Sequence, residues 1–308
     1  MSAYKQLQNR LAVEPSSWLV TGVAGFIGSH LLERLLKLGQ HVVGLDNMSM
    51  GQQRHLEEVR SQVSYAQWRN FEFIRGDVTV IKDCDKACKN VDYVLHQATI
   101  PDHASPNEFL TLFVSARDAK VKHFVYAVNP IHSHHAGLAL DNSVYAISFG
   151  QAYGLLCTGL NYANIFGPRQ SHSTTTALIP TWAQSLLSGL PVHINGDGES
   201  SADFCFIDNA VQANLLAVMA PPFPAHQVYN VASGVRTTLN AVYDLLQVQR
   251  PTSANRLAEP PVYGDLCDGD LIEAALDISQ TELHLGYVPT HQIAQGLTLT
   301  TPWYSSHQ

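Results

Sequence analysis

The sequence lacks the features of several protein classes. Its 308 residues include no apolar run near the ~18 residues that a membrane span needs. The first fifteen residues are polar and contain no apolar core like that of a signal peptide. There are no internal repeats and no low-complexity segments. These absences favour a protein that folds in water, and the length suffices for one large or two smaller α/β domains.

Cysteine and basic residues are scarce. The five cysteines form no pair of metal-like pairs, so the sequence predicts neither a disulfide framework nor a cysteine metal site and favours the cytoplasm. Acidic residues outnumber basic ones by 26 to 18, and no basic run occurs, which disfavours nucleic acid and anionic membranes as partners. All seven lysines lie at or before Lys122, so residues 123–308 contain none.

A glycine-rich run near the start of the chain is the strongest signal present. A short apolar strand leads into Gly22, and Gly25 and Gly28 follow at a spacing of three before an amphipathic helical stretch. Gly22 permits a tight turn, Gly25 lets the backbone approach a pyrophosphate, and Gly28 lets helix and strand pack closely. The helix N-terminus offers N–H groups and a positive dipole end to phosphates.

An acidic residue supports a dinucleotide as the ligand of this run. A second apolar strand, residues 41–45, ends in Asp46, and a carboxylate at this place suits a ribose hydroxyl. No arginine directly follows Asp46 to hold a 2′-phosphate, so NAD is favoured over NADP. A glycine-rich turn without a ligand is the alternative interpretation, and the strand, helix and carboxylate together argue against it.

Strand and helix patterns continue to alternate along the chain. We expect strands at residues 71–74, 91–98 and 123–128 and helices near 83–90 and 109–120. Repeated units of this kind predict an α/β fold with a doubly wound parallel sheet of the Rossmann type. Residues 1–165 are expected to form an NAD-binding domain and residues 166–308 a smaller α/β substrate domain. A strand near residues 228–232 is expected to return to the main sheet.

Several short motifs occur in a fixed order along the chain. They are Thr21-Gly22-x-x-Gly25-x-x-Gly28, Leu45-Asp46-Asn47, Gly76-Asp77-Val78, His96-Gln97-Ala98, Tyr145, Asn164-Ile165-Phe166-Gly167 and Asn195-Gly196-Asp197-Gly198. In this order they resemble the extended short-chain dehydrogenase/reductases of the NAD-dependent epimerase/dehydratase family. Within that group the chain is similar, over nearly its whole length, to bacterial UDP-N-acetylglucosamine 4-epimerases of surface-polysaccharide biosynthesis.

The resemblance implies sites for NAD and for a UDP-sugar. The glycine-rich turn would hold the pyrophosphate, and the ends of the next strands would hold the ribose, the adenine and the rest of the cofactor. The implied cofactor residues are Gly22, Gly25, Phe26, Ile27, Gly28, Asp46, Asn47, Asp77, Val78, Gln97 and Ala98. Asn164 would contact the nucleotide-sugar, and Arg169 is a candidate for its diphosphate.

The resemblance also implies a reaction and shows where this chain departs from it. Tyr145 would be the general base of a UDP-GlcNAc/UDP-GalNAc 4-epimerisation through a 4-keto intermediate. The family assists this tyrosine with a lysine and a serine, and those positions here hold Phe149 and Asn129. An unassisted phenol has a pKa near ~10, and lowering it to ~7 takes roughly 4 kcal/mol, which Phe149 cannot supply. We therefore expect an impaired isomerase; the alternative is a non-catalytic NAD(H)-binding pseudoenzyme or decayed homologue.

Other polar residues near Tyr145 have ordinary interpretations beside functional ones. Ser133 or Ser143 could supply the missing hydroxyl, although a loop serine is the simpler interpretation. His132 and His134, with a further histidine beside them, could bind a metal or act as a substitute base. No cysteine or carboxylate clusters with them at ligand spacing, so the sequence predicts no metal site.

The expected substrate domain also departs from the family. The resemblance implies arginines, some with diphosphate-binding roles, at several of the positions that are held here by Ala202, Gly264, Cys267 and Ile272. Arg169 and Arg236 remain as candidates, whereas Asp265, Asp268 and Asp270 form an acidic patch suited to repel a diphosphate. The family often dimerises through the segment after Thr99 and the helix after Tyr145. Both look short here, because Gly150 and Gly154 bracket the latter, which leaves a homodimer open.

Overall fold

A computed structural model describes residues 1–98, 106–128, 142–171, 177–219, 227–249, 259–265 and 276–307 of the chain. The chain divides into two compact units. The first unit comprises Met1–Tyr162, Val211–Asn230 and Ser279–Tyr287, and the second comprises Ala163–Ala210, Val231–Ile278 and Val288–Gln308.

The first unit alternates strands and helices. Its strands are β1 (Ser17–Thr21), β2 (His41–Asp46), β3 (Phe71–Arg75), β4 (Tyr93–His96), β5 (His123–Val128) and β6 (Leu156–Tyr162). Its helices are α1 (Ala3–Val13), α2 (Phe26–Lys37), α3 (Gln53–Gln62), α4 (Tyr65–Trp68), α5 (Ile81–Cys88), α6 (Pro106–Asp118) and α7 (Asn142–Tyr153). Helix α11 (Ser279–Leu285) also belongs to this unit.

One seven-stranded sheet organises this unit. Its strand order is β10-β6-β5-β4-β1-β2-β3, where β10 is Gln227–Val231. The pairs from β6 through β3 are parallel, with registers such as Val20 opposite Gly44 and Leu95. The order reverses direction at β1, whose carboxyl end is where a doubly wound sheet binds its ligand. The predicted doubly wound parallel fold is confirmed.

The centre of the sheet is fully buried. Trp18, Leu19 and Val20 of β1 have no exposed surface, as expected for a parallel strand covered on both faces. One cluster of buried apolar side chains extends from Leu19 to Cys157 and includes Phe109, Phe113, Phe124 and Tyr126. The four described cysteines are free and buried, and burial raises the pKa of the Cys84, Cys88 and Cys157 thiols to about 12.

The first helix was not predicted from the sequence. Ser2 caps α1 by accepting a hydrogen bond from the Lys5 N–H, and Leu7 and Leu11 are its buried residues. The fully buried Gln40 side chain holds its end, donating to the Leu11 carbonyl at 2.7 Å and accepting from the Trp18 indole at 3.2 Å. Only two residues of α1 are buried, which explains its weak sequence pattern.

The second unit contains two small sheets. Its strands are β7 (Asn164–Phe166), β8 (His193–Asn195), β9 (Ser201–Phe206), β11 (Arg236–Thr238) and β12 (Val262–Gly264). Its helices are α8 (Leu178–Ser188), α10 (Leu239–Val248) and α12 (Ile293–Ser306). One sheet has the order β11-β9-β7, antiparallel and then parallel, and the other pairs β12 with β8 in parallel.

The segments of the two units alternate along the chain. Helix α9 (Ile207–Met219) begins in residues of the second unit and ends in the first. Strand β10 adjoins β6 in the main sheet, and α11 is likewise part of the first unit. The expected boundary after residue 165 lies three residues beyond the end of β6. Among the described residues, no helix is long and apolar enough to cross a bilayer.

Candidate functional site

The glycine-rich turn between β1 and α2 is closely packed. Gly22 has a φ of +65°, and a side chain there would begin 2.9 Å from the Ala98 nitrogen. A Cβ on Gly28 would lie 2.1 Å from the Gly22 carbonyl oxygen. No larger residue fits either position without moving backbone, so the two glycines are required for the strand to enter the helix at this angle.

The N-terminus of α2 is arranged to receive an anion. Gly25 is its N-cap and makes no side-chain capping bond, and no acidic residue lies in the first turn. The N–H groups of Phe26, Ile27 and Gly28 have no intrahelical acceptor, because they form the first turn. These donors and the positive end of the helix dipole fit the pyrophosphate of a dinucleotide such as NAD.

The carboxylate of Asp46 lies beside this turn. It is 7% exposed and accepts hydrogen bonds from the backbone N–H groups of Ala24, at 2.9 Å, and Met48, at 2.8 Å. Each carboxylate oxygen can accept a further bond, so the group remains able to receive a ribose hydroxyl. Asp46 therefore also fixes the turn itself, a role that sequence reasoning missed.

The loops after β2 and β3 meet through polar side chains. The Asn47 amide donates to Asp77 at 2.8 Å, and the Thr79 N–H donates to the other oxygen of Asp77 at 2.8 Å. Burial opposes ionisation of Asp77, but the hydrogen bonds from Asn47 and Thr79 outweigh it and hold the pKa of Asp77 below its ordinary value. Val78 is buried beside them. The structure thus brings Asn47, Asp77 and Val78 together.

Thr21 and His96 organise the strand ends around the turn. The Thr21 hydroxyl oxygen accepts from the backbone N–H groups of Gln97 and Ala98, both at 3.2 Å, and lies 2.7 Å from His96 Nδ1. With two N–H groups donating to it, the hydroxyl donates its own proton to Nδ1. Burial lowers the pKa of His96 to about 4, so the ring is neutral at pH 7.

A closed ring of three side chains follows the ends of β4 and β6. Gln97 donates to Asn214 of α9 at 3.0 Å, Asn214 donates to the Tyr162 hydroxyl at 2.7 Å, and Tyr162 donates to Gln97 at 3.1 Å. The motif order predicted Gln97 as a cofactor residue but gave no signal for Tyr162 or Asn214. These partners are 65 and 117 residues from Gln97, and no local pattern connects them.

Tyr145 lies on α7 with an aromatic residue at the position of the expected lysine. Tyr145 and Phe149 share one helix face and are partly buried against the core of the first unit. Phe149 stacks on Tyr153, with ring centroids 5.8 Å apart, and the Arg117 guanidinium covers Tyr153 at 4.8 Å. Eight residues of helix rise separate Tyr153 from Tyr145, about 12 Å, so this cation is remote from the phenol.

The surroundings of Tyr145 partly correct the sequence analysis. Helix α7 continues through Gly150, which does not end it, and stops before Gly154, where φ is +73°. Ser143 is buried on the same helix. Asn129 and the serine and histidine candidates at residues 132–135 lie outside the described residues. No group of three or more metal-ligating side chains occurs in the described part of the chain.

The residues expected to bind the sugar nucleotide lie in the second unit. Asn164 of β7 donates to the Asp203 carbonyl at 3.1 Å and lines a cavity of about 210 Å³. The cavity is lined by Ala163, Asn164, Ile165, Phe166, Gln170, Leu178, Ile179 and Phe204. Arg169, which precedes the lining residue Gln170 in the chain, is buried and has a φ of +67°, whereas Arg236 is exposed on β11.

Ala202 and Asp203 show what β9 contributes. Ala202 is fully buried and pairs with Thr237. Both carboxylate oxygens of Asp203 accept backbone bonds at 2.8 Å, one from Ser233 and one from Gly234. Asp203 is therefore a structural carboxylate. Gly264 ends β12 and Asp265 follows it, while Cys267, Asp268, Asp270 and Ile272 lie outside the described residues.

Comparison with known proteins agrees with this geometry. The model of the NAD dependent epimerase/dehydratase family matches residues 18–128 and 140–232. A UDP-glucose 4-epimerase from Mycolicibacterium smegmatis is 28% identical over 322 residues, covering 93% of this chain and 97% of that protein. The family match is interrupted between residues 128 and 140, before Tyr145.

Two solved structures are similar throughout. The UDP-N-acetylglucosamine 4-epimerase from Methanobrevibacter ruminantium, in complex with UDP-N-acetylmuramic acid, is 26% identical with a TM-score of 0.80, covering 96% of this chain and 99% of that one. The UDP-glucose 4-epimerase from Thermus thermophilus, in complex with NAD, is 25% identical with a TM-score of 0.74, covering 94% and 98%.

Proposed function

Because the chain belongs to the NAD-dependent epimerase/dehydratase family, we propose that it is an NAD-binding UDP-N-acetylglucosamine/N-acetylgalactosamine 4-epimerase with impaired catalysis. The observation that supports this proposal is a contrast within the first unit. The glycine-rich turn, Asp46 and the ends of β3 and β4 form a connected polar site, whereas Phe149 occupies the position that gives Tyr145 its cation in the family.

The chain's own residues would hold the cofactor in separate places. The first-turn N–H groups of α2 would bind the pyrophosphate, and Asp46 with Asn47 would bind the adenosine ribose. Asp77 and Val78 would flank the adenine, and Gln97 and Ala98 would line the remainder. When bound, NAD supplies the hydride acceptor and donor that an epimerisation at C4 requires.

Tyr145 would take the proton from the sugar 4-hydroxyl. Its helix holds it against the core, but Phe149, at the position of the expected lysine, is aromatic and supplies no positive charge to stabilise a phenolate. General-base catalysis needs a group that is deprotonated near the working pH. We therefore expect slow turnover. Asn164 and Arg169 would contact the UDP-sugar, supported by the position of Asn164 on a cavity of about 210 Å³.

A non-catalytic NAD(H)-binding protein is the second candidate. The stack of Phe149 on Tyr153, covered by Arg117 of α6, favours it, because these side chains make structural contacts between two helices where the family has a catalytic lysine. For either candidate we propose a UDP-sugar ligand, a cytoplasmic location and no nucleic-acid or membrane partner, supported by the acidic balance and the free buried cysteines. A homodimer remains a proposal of the family resemblance.

One experiment separates the two candidates. NAD affinity is measured first, followed by conversion of UDP-N-acetylglucosamine by the unmodified protein, Phe149→Lys and Tyr145→Phe. Gln151→Lys is the matched control, because it places a lysine on an exposed position of α7 that lies away from the Tyr145 face. We expect slow turnover that Tyr145→Phe abolishes, that Phe149→Lys raises at least about tenfold, and that Gln151→Lys leaves unchanged. NAD binding with no turnover at high enzyme concentration would favour the pseudoenzyme.

A further inference from the structure

The peptide that enters α2 is fixed by hydrogen bonds on both sides. The Ala24 carbonyl accepts from the Gln52 N–H at 2.9 Å and lies 2.9 Å from Nδ1 of His55. The N–H of the same peptide plane belongs to Gly25 and donates to the Gly22 carbonyl at 2.9 Å. The direction of this plane sets where the first-turn N–H groups of α2 point.

His55 makes this contact from a buried position. It lies near the start of α3 and is 2% exposed. A carbonyl oxygen only accepts hydrogen bonds, so Nδ1 carries the proton whenever this bond exists. The ring is thus held in one orientation with its Nδ1–H directed at the turn, and the bond lies in a site closed to water, where hydrogen bonds are strongest.

The segment that carries His55 is shaped to lie on the turn. A Cβ on Gly51 would lie 2.7 Å from an Asp46 carboxylate oxygen and 2.8 Å from the Ala24 Cβ. Only glycine allows so close an approach at this position. Asp46, the last residue of β2, accepts from the Ala24 N–H. The end of β2 and the segment after it therefore hold both the N–H and the carbonyl of Ala24.

We propose that His55 is a positioning residue for the phosphate-binding turn. By donating to the Ala24 carbonyl it fixes the peptide plane before α2 and so presents the N–H groups of Phe26, Ile27 and Gly28 in a preformed arrangement. Preformed donors raise affinity because binding then orders fewer groups. This inference rests on the proposed placement of the NAD pyrophosphate at this turn.

Three substitutions at one position test the geometry. His55→Asn places an amide nitrogen on Cγ, where Nδ1 is attached, and so retains the donor. His55→Gln places its amide one bond further out, near the former Nε2, and His55→Leu has no donor. We expect the Kd for NAD to rise about fivefold to tenfold in the Gln and Leu variants and to stay within about twofold in the Asn variant.

A second buried histidine provides the matched control. His123 is 6% exposed, and its Nδ1 lies 3.1 Å from the Val218 carbonyl, at the amino end of β5 and so at the opposite end of the strands from the turn. We expect His123→Leu to lower the free energy of unfolding in urea without changing the Kd for NAD of the folded protein. In the unmodified protein, a nitrogen-15 spectrum should show His55 Nδ1 protonated both without and with NAD.

The outcomes are distinct. Equal NAD affinity in all three His55 variants, or equal effects of Asn and Gln, would overturn the positioning role. If His55→Leu does not fold, the contrast between Asn and Gln decides the question by itself. An unmodified protein that binds no NAD would overturn the proposed function and this inference together, whereas tight binding that is insensitive to His55 would overturn the inference alone.

Discussion

The two units of the chain differ sharply in charge. The first unit carries 14 basic and 15 acidic residues, a net charge of −1, and contains all seven lysines. The second carries 4 basic and 11 acidic residues, a net charge of −7, and its only cations are arginines. The expected ligands of the two units, a dinucleotide and a nucleoside-diphosphate sugar, are both anionic.

The two units would therefore bind their anionic ligands with different groups, backbone N–H groups in the first and charged side chains in the second. The first unit would bind its diphosphate with backbone N–H groups and a helix dipole, which need glycines and no charged side chain. We expect the second to bind a diphosphate with side-chain cations, for which Arg169 and Arg236 are the candidates. A backbone site survives changes in surface charge, whereas a side-chain site is lost with its arginines.

We expect the largest effect from a substitution in the glycine-rich turn of the first unit. Gly28→Ala puts a Cβ 2.1 Å from the Gly22 carbonyl oxygen, so the turn must open. We expect NAD affinity to fall more than about 100-fold and the free energy of unfolding to fall by roughly 2–4 kcal/mol. Calorimetric titration and urea unfolding measure both. Gly264→Ala of the second unit is the control, since no atom lies within 4 Å of its added Cβ.

A destabilising substitution in the second unit should leave the Kd for NAD unchanged. Asp203 is 2% exposed, and Asp203→Ala removes the acceptor of the Ser233 and Gly234 N–H groups. We expect a loss of about 3 kcal/mol in the stability of this unit. Hydrogen exchange read by mass spectrometry should show faster exchange in β9 and β11, with an unchanged Kd for NAD. Altered NAD affinity would contradict the independence of the two functions.

Acid should lower the free energy of unfolding through protonation of His96, which lies in the first unit. Its folded-state pKa of about 4 lies below the ordinary value of 6.5, so the unfolded chain binds a proton that the folded one does not. Stability from this group is complete above pH 6.5 and is lost as the pH falls towards 4, by about 2 kcal/mol at pH 5. Urea unfolding at pH 7 and pH 5 measures this loss. His96→Asn retains an acceptor for Thr21 and should flatten the dependence; an unchanged slope would exclude His96 as its source.

The smallest expected effect concerns salt. Because the second unit has a net charge of −7, its surface should repel a free UDP anion, and salt screens that repulsion. We expect the Kd for UDP to improve about twofold to threefold between 20 and 300 mM sodium chloride, with a smaller change for NAD. Titrations at both concentrations test this. Weaker UDP binding at high salt would show that local cations dominate the site.

The sequence predicted the parts of the candidate site whose residues lie close together along the chain. It did not predict the contacts between residues that are far apart in the chain. Gly22, Gly25, Gly28 and Asp46 follow from one strand–turn–helix–strand pattern, whose geometry is the same wherever it occurs. The ring of Gln97, Tyr162 and Asn214 joins the ends of two strands to a helix far along the chain. Nothing in the composition around Tyr162 or Asn214 marks them as partners.

In the fold, too, local sequence patterns were predictive and features that depend on tertiary contacts were not. The alternation of apolar strands predicted the parallel sheet, because a strand covered on both faces must be apolar along its length. Helix α1 escaped prediction because it is amphipathic only weakly and is held by Gln40, whose role depends on the folded neighbours Leu11 and Trp18. Helix α7 continues through Gly150 because tertiary packing outweighs the low helix propensity of a single glycine.

The interleaving of the two units restricts how this chain can be divided or exchanged. A fragment ending near residue 165 would lack β10, leaving β6 as an uncovered sheet edge. An unpaired strand of this kind recruits other strands, so such a fragment should aggregate. Exchange of the second unit alone therefore needs more than one crossover, because the chain returns to the first unit twice, once with β10 and once with α11. Specificity in this architecture is expected to change by point substitution within the inserted segments.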